Sequence, residues 1–323
     1  MGEQLVVTSF FFFCLLDCSM ESFGNVRVVS LEETETSCGK CKDVKDGGPK
    51  NVVTEGRASD FRVRSESFTK TNKKKASGDA LLSLVAADVI PAVNGLEHAT
   101  STKSGIVACF PKRQFFVVNL RCPSVSLVLY FVFPTPAAWQ QRVATRTPPV
   151  SLPAMQLLKA FCSPKTTDRW RCDRLKFVPR IVEGPWLFRH VTPTAPAMIA
   201  RHLKSSFFFG SNYCEVSIDV CSSFVARKIW SAGAGAAASI VVDLAFIIQG
   251  EREEELPEQV CAVARVCRLD VSAFETSLAE ETSLRSVVSG CCEEECCHDQ
   301  KAQETDMFLG GIPVVQSLKE DVL

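Results

Sequence analysis

Two runs rich in β-branched and aromatic residues, Gln114–Leu120 (QFFVVNL) and Val125–Phe133 (VSLVLYFVF), are separated by only the four residues RCPS. Runs this short and this β-prone, joined by a turn-length link, form a β-hairpin. Pro123 falls in the turn, where its missing N–H costs no ladder bond. A chain with such a hairpin near its middle is committed to a sheet. Further strand signals lie on both sides, at Phe61–Phe68, Leu175–Val182, Pro185–Val191 and Val260–Leu269, with Glu183-Gly184 as a turn. Tyr213–Val220 alternates, so Cys214, Val216, Ile218 and Val220 face one way and Glu215, Ser217 and Asp219 the other. Ala80–Val89 is apolar but too short to assign to helix or strand. Thr69–Gly78 (TKTNKKKASG) reads as a basic loop.

The most apolar segment is Val225–Gln249, with SAGAGAAAS at its centre, Ser222 or Ser223 as a candidate N-cap and Gly250 at the C-cap position. It is expected to form one long buried helix. Residues 229–248 also have the length of about twenty needed to span a bilayer. Asp243 inside them is costly in lipid and favours burial in protein, where it needs a basic partner. The fold class that follows is α+β: a curved, mostly antiparallel sheet packed on one long apolar helix.

With 323 residues, 46% of them hydrophobic, the chain has material for a sizeable core and is not a disordered polymer. The net charge of −1 conceals a division: residues 1–56 carry −4, residues 57–250 carry +14, and residues 251–323 carry −11. A basic body of this kind faces phosphate groups or an acidic surface. The 16 cysteines are scattered rather than framed as a disulfide scaffold, which fits a reducing compartment. Leu5–Leu16 has the length of a signal or anchor. The preceding MGEQ carries no positive charge, no small-residue cleavage site follows, and Val6 breaks the myristoylation pattern, so no working signal is expected. Three regions result: 1–56, disordered or a targeting segment; 57–276, the folded domain, with a Pro- and Thr-rich flexible insertion at 134–153; and 277–323, an acidic, Cys-containing disordered tail.

Catalytic signatures are sparse. There is no G-x-S-x-G, no G-x-x-x-x-G-K-[ST] and no G-x-G-x-x-G. The four histidines, His98, His190, His202 and His298, form no recognisable arrangement with a nucleophile. Cys38 and Cys41 share a C-x-x-C. The nearest second donor set, Cys291, Cys292, Cys296, Cys297 and His298, lies about 250 residues away, so no zinc site and no other cofactor is expected. Phe207–Phe209 follow Arg201, His202 and Lys204, but without a recognition motif they read as core phenylalanines beside a solvated basic edge, and no nucleic acid partner is expected.

Four blocks carry a resemblance: FVPRIVEGPW (Phe177–Trp186), NYCEVSIDVCSSFVAR (Asn212–Arg227), SIVVDLAFIIQGEREEELPEQV (Ser239–Val260) and AVARVCRLDVSAF (Ala262–Phe274). In order and spacing they resemble the C-terminal domain of the plant Enhanced Disease Resistance 2 family. Weaker matches at Phe61–Lys75, Ala80–Asp88 and the hairpin extend the resemblance to roughly residues 57–276. The family-motif positions are Glu183, Gly184, Trp186, Glu215, Asp219, Asp243 and Pro257. This chain departs from the pattern at AGAGAAAS, at Ser217 in place of an Asp, at TPTAPA, which lacks the usual Lys, and in its short hairpin loop. The resemblance implies lipid- or membrane-linked regulation and no agreed reaction. In the family this domain often follows a pleckstrin homology and a START domain. Only about 56 residues precede it here, so a stand-alone version is expected.

The expectation is therefore a non-enzymatic lipid- or membrane-binding module, cytoplasmic and peripherally membrane-associated. Arg180, Arg189, Arg201, Lys204, Arg227 and Lys228 are its candidate headgroup contacts. The alternatives are an interaction module for an acidic protein partner and an integral membrane protein anchored by residues 229–248.

Overall fold

The computed structural model describes residues 27–28, 50–92, 95–101, 105–145, 151–185, 197–223 and 234–271. The N-terminal apolar run, both cysteine clusters, the acidic tail and the 186–191 part of the expected strand at 185–191 lie outside them.

Two sheets and a separate strand pair make up the fold. Six strands run in the order β1 (Arg27–Val28), β2 (Val52–Glu55), β13 (Ala262–Cys267), β12 (Val241–Ile248), β8 (Leu175–Glu183) and β9 (Ala197–Met198). Five more run in the order β10 (Ser205–Phe209), β11 (Tyr213–Asp219), β6 (Phe115–Arg121), β7 (Val125–Val132) and β5 (Ser83–Pro91). Strands β3 (Arg62–Arg64) and β4 (Lys74–Ala76) pair with each other. All described pairings are antiparallel except β1–β2 and β6–β11. The expected hairpin is β6–β7, and the ambiguous apolar run is strand β5, at the edge beside β7.

Alternation assigns the faces. Phe116 and Val118 on β6, Leu129 and Phe131 on β7, and Leu244, Phe246 and Ile248 on β12 all enter one buried cluster. Rings from the two sheets meet there, with Phe131 and Phe246 at 6.3 Å between centroids. The sheets therefore face each other across a shared core, and such interlocking of full side chains supplies the main stabilisation. A helix, Leu152–Phe161, closes one side. Its Phe161 stands edge-on to Phe116 at 6.0 Å. Ser151 caps this helix, accepting from the Ala154 N–H at 3.2 Å.

The outer faces are covered too. Ala245, Ile247, Val178 and Val263 pack under Phe61 and Val63, so the β3–β4 hairpin rests on the outside of the six-stranded sheet. Phe115, Val117, Val128 and Tyr130 pack against Ala99 and Val107 on the outside of the other.

The structure corrects the long apolar helix. Within Val225–Gln249, the described part is a short 3-10 segment, Ala234–Ser239, followed by the central strand β12. Val241, Val242, Ile247 and Ile248 are β-branched, and β12 is hydrogen-bonded on both sides, by β13 and β8. An unbroken apolar run is what a strand buried on both faces requires. The anchor reading of 229–248 falls with the helix: among the described residues no helix is long and apolar enough to cross a membrane. The expected insertion at 134–153 is helical over Pro136–Thr145. There Arg142 donates to the Ala80 and Leu81 carbonyls at 3.0 and 3.4 Å. The strand expected over Phe61–Phe68 is β3 alone, and a one-turn helix, α1 (Phe68–Thr71), follows it.

Candidate functional site

Several carboxylates of the motif blocks are held in ion pairs, Glu183, Asp243, Glu255 and Glu258 among them. Asp243 is fully buried on β12. Register places it directly opposite Arg265 on β13 and Arg180 on β8. Arg265 grips both its oxygens, at 2.7 and 2.9 Å, and Arg180 Nη1 adds a contact at 3.3 Å. A bidentate guanidinium is the geometry that makes a buried carboxylate tolerable. The same pairing raises the Arg265 pKa, Asp243 stabilising its charge. Arg180 also bonds Asp60.

Glu258, one residue past Pro257, is the second latch. It takes the Lys176 ammonium at 2.6 Å, the Gly250 N–H at 3.1 Å and the Arg64 N–H at 3.1 Å. Burial pulls Lys176 down to about 8, although Glu258 opposes the shift. Glu255 accepts from the Glu251 and Arg252 N–H groups and pairs with Arg174 at 2.8 Å, and Glu183 pairs with Arg268 at 2.7 Å. Gly184 sits at φ +151°, and a Cβ there would come within 3.2 Å of Ile240. The Pro257 carbonyl accepts from Ser151 Oγ at 2.6 Å. Trp186 lies outside the described residues.

The buried Glu215 holds the other sheet's cover. It accepts from the Ala99 and Thr100 N–H groups, both at 2.9 Å, and from Thr100 Oγ1 at 2.6 Å. His98, next to this segment, stacks on Phe208 at 4.1 Å. Its Nε2 is 3.2 Å from the Tyr213 hydroxyl. Asp219 accepts from the Cys221 N–H at 3.0 Å. Each described motif carboxylate thus has an architectural partner.

Of the six expected headgroup cations, three lie among the described residues, and two of those three are held in ion pairs. Arg180 is spent on Asp243 and Asp60, and Arg201 pairs with Asp173 at 2.8 Å. Lys204 is exposed, and its backbone N–H bonds Ser222 Oγ at 2.8 Å. Arg189, Arg227 and Lys228, like His190, lie outside the described residues. His202 is exposed. Phe207 and Phe209 flank the buried Arg171 guanidinium, at 5.4 and 4.4 Å, and pack half-buried against the core, while Phe208 lies against His98.

A different cationic surface emerges at β3–α1–β4, which brings together Arg62, Arg64, Lys70, Lys73, Lys74 and Lys75. Its root is fixed by Phe61 and Val63 in the apolar contact with the sheet, and by Arg64 Nη1 donating to the Gly250 carbonyl at 2.6 Å. Asn72 makes the return, at φ +54°, a conformation asparagine accepts better than most residues. Lys70 pairs with Glu253 and Lys75 with Glu66, both on exposed surface where such pairs are weak. Arg62, Lys73 and Lys74 are exposed and have no carboxylate partner among the described residues. The lysine run was visible in the sequence. What it lacked was a reason to prefer it over other cations, namely knowledge of which charges are already paired. The zinc donors Cys38, Cys41, Cys291, Cys292, Cys296, Cys297 and His298 lie outside the described residues. Among those described, no group of three or more His, Cys, Asp or Glu residues is placed to hold a metal ion.

A family model described as "Protein ENHANCED DISEASE RESISTANCE 2, C-terminal" matches residues 54–270. A protein of Arabidopsis thaliana named "Protein ENHANCED DISEASE RESISTANCE 2-like" is 27% identical over 255 residues, which cover 77% of this chain and 31% of that protein. The chain thus matches about a third of the length of this relative. No solved structure matches it.

Proposed function

The chain belongs to the Enhanced Disease Resistance 2 C-terminal family, and from that premise we propose that it is a non-catalytic regulatory domain that docks on anionic, phosphoinositide-bearing membrane through the β3–α1–β4 hairpin. The observation that carries this reading is the set of exposed cations without carboxylate partners, Arg62, Lys73 and Lys74, on a hairpin whose root is bolted to the sheet. A fixed root lets several charges meet a surface together without first paying for order. Each Lys or Arg near an anionic leaflet contributes about 1 kcal/mol, so three give roughly a hundredfold preference over neutral lipid. The anionic lipids lie on the cytoplasmic leaflet, which makes the protein cytoplasmic and peripheral. No covalent step and no cofactor is required.

The test is flotation of the full chain with neutral and with phosphoinositide-containing vesicles, each at low and high salt. Flotation only with the anionic vesicles, lost at high salt, is the expected result. Binding that ignores salt would replace the electrostatic reading with apolar insertion. No flotation, together with capture of acidic proteins, would replace it with an interaction module.

A further inference from the structure

Hydroxyl groups stand among the hairpin cations. Ser67, Thr69 and Thr71 are exposed, whereas Ser65 is buried. Two of the four hydroxyls support the turn: Ser65 Oγ donates to the Lys73 carbonyl at 2.9 Å, and Thr71 Oγ1 donates to the Ser67 carbonyl at 2.9 Å. Ser67 Oγ makes no side-chain cap bond and meets only other hydroxyls, Thr71 Oγ1 at 3.1 Å and Ser65 Oγ at 3.4 Å. It can therefore be modified without removing a bond that holds the backbone.

Its surroundings are cationic. Lys70 lies three residues after it and Lys73 and Lys74 six and seven after, exposed cations that suit the acidic cleft of a basophilic kinase, whereas Arg64, three before, is held by the Gly250 carbonyl. The hydroxyl it touches, Thr71 Oγ1, accepts from the Lys73 N–H at 3.3 Å. Lys75 already reaches Glu66, the residue next to Ser67.

We propose that Ser67 is a phosphoacceptor and that its phosphorylation releases the hairpin from anionic membrane. This inference rests on the membrane reading above. In the transfer, Ser67 Oγ attacks the γ-phosphorus of ATP supplied with a protein kinase. The bond from that phosphorus to the β–γ bridging oxygen breaks, ADP leaves, and the hydroxyl proton passes to the kinase base. The product adds a charge of about −1.5 to −2, close to the sum of the Lys73 and Lys74 charges. The new dianion captures neighbouring ammonium groups and repels the leaflet. At about a factor of five for each unit of charge, vesicle affinity falls roughly thirty-fold.

The test compares the full chain, unmodified and with phosphoserine genetically installed at position 67, on phosphoinositide vesicles. In parallel, the unmodified chain is treated with ATP and a basophilic kinase, and the acceptor is mapped by mass spectrometry. Expected are a fall in affinity of ten- to thirty-fold for the phosphorylated chain and phosphate on Ser67 rather than Ser65. The Ser67→Ala chain, which loses no cap bond, should fold and bind like the unmodified one. Equal binding by the phosphorylated and unmodified chains would overturn the switch and leave the membrane reading intact. Phosphate elsewhere in the hairpin with Ser67 untouched would overturn the acceptor assignment. Failure of the unmodified chain to bind would remove the membrane reading and the switch with it.

Discussion

Asp243 shows what one residue discloses about its setting. A carboxylate in an apolar run needs a basic partner wherever the run folds, and that much was legible before any fold was known. The partners were not, because Arg265 and Arg180 lie 22 and 63 positions away and meet Asp243 only through strand register. Replacing Asp243 with Ala should cost about 2–4 kcal/mol, at the lower end of the range for breaking a buried pair, since the stranded Arg265 is partly exposed. A lower urea midpoint with an unchanged m-value would register it. Lys176 yields a prediction in pH. In the folded chain it releases its proton near 8, against an ordinary value of 10.5. Between those values the unfolded chain holds more protons, so the Lys176 contribution to stability rises with pH and its burial penalty is fully present below 8. Buried thiols act in the opposite sense, Cys261 being pushed up to about 12. The comparison with Lys176→Met isolates the lysine. The mutant's stability profile should lack an upward component of at most about 1.4 kcal/mol per pH unit between pH 8 and 10.5. Parallel profiles would refute the assignment.

Among the elements, those with an alternating or hairpin signature could be read directly: β6–β7, β8, β11 and β13 lie close to where their residues put them. β12 could not. A strand hydrogen-bonded on both sides and buried on nearly its whole length has no polar alternation left to distinguish it from a buried helix. The neighbouring Ala- and Gly-rich segment extended the apolar run to helical length. The β2–β13 pair offers a sharper test of packing between elements. Gly56, just past the end of β2, sits so close to its neighbours that a Cβ there would lie 2.7 Å from Val263 Cγ2 and 3.4 Å from Asp243 Oδ1. Gly56→Ala should therefore destabilise by about 1–3 kcal/mol, through overpacking and displacement of the Asp243 pair. Adding Val263→Ala opens the space that the methyl needs. The double mutant should be less destabilised than the sum of the two single mutants, and strict additivity in denaturant would show that the contact is not what forbids a side chain.

For the whole molecule, the charge division between a basic body and acidic ends was plain from the sequence, but its functional surface was not. Counting cations does not tell which are already neutralised. Folding spends Arg180 and Arg265 on Asp243, Lys176 on Glu258, Arg174 on Glu251 and Glu255, and Arg268 on Glu183. These pairs hold sheet and loops together and have little charge left for a partner. The hairpin tip differs, because its exposed cations are not needed to hold the fold. This separation of structural from available charge makes a prediction that net charge alone does not. Lys73→Gln/Lys74→Gln and Arg201→Gln/Lys204→Gln each remove two positive charges from the same basic body. If net charge governed association, the two double mutants would lose vesicle affinity equally. If the hairpin is the contact, the first should weaken binding to phosphoinositide vesicles roughly thirty-fold. The second should change it less than about threefold, because one of its cations is already held by Asp173. Thermal midpoints within a degree or two of the parent would confirm that neither change disturbs the core, since both remove exposed side chains. An equal loss in the two would return the argument to a diffuse basic surface, and a larger loss in the second would move the contact to the end of the sheet where β10 begins.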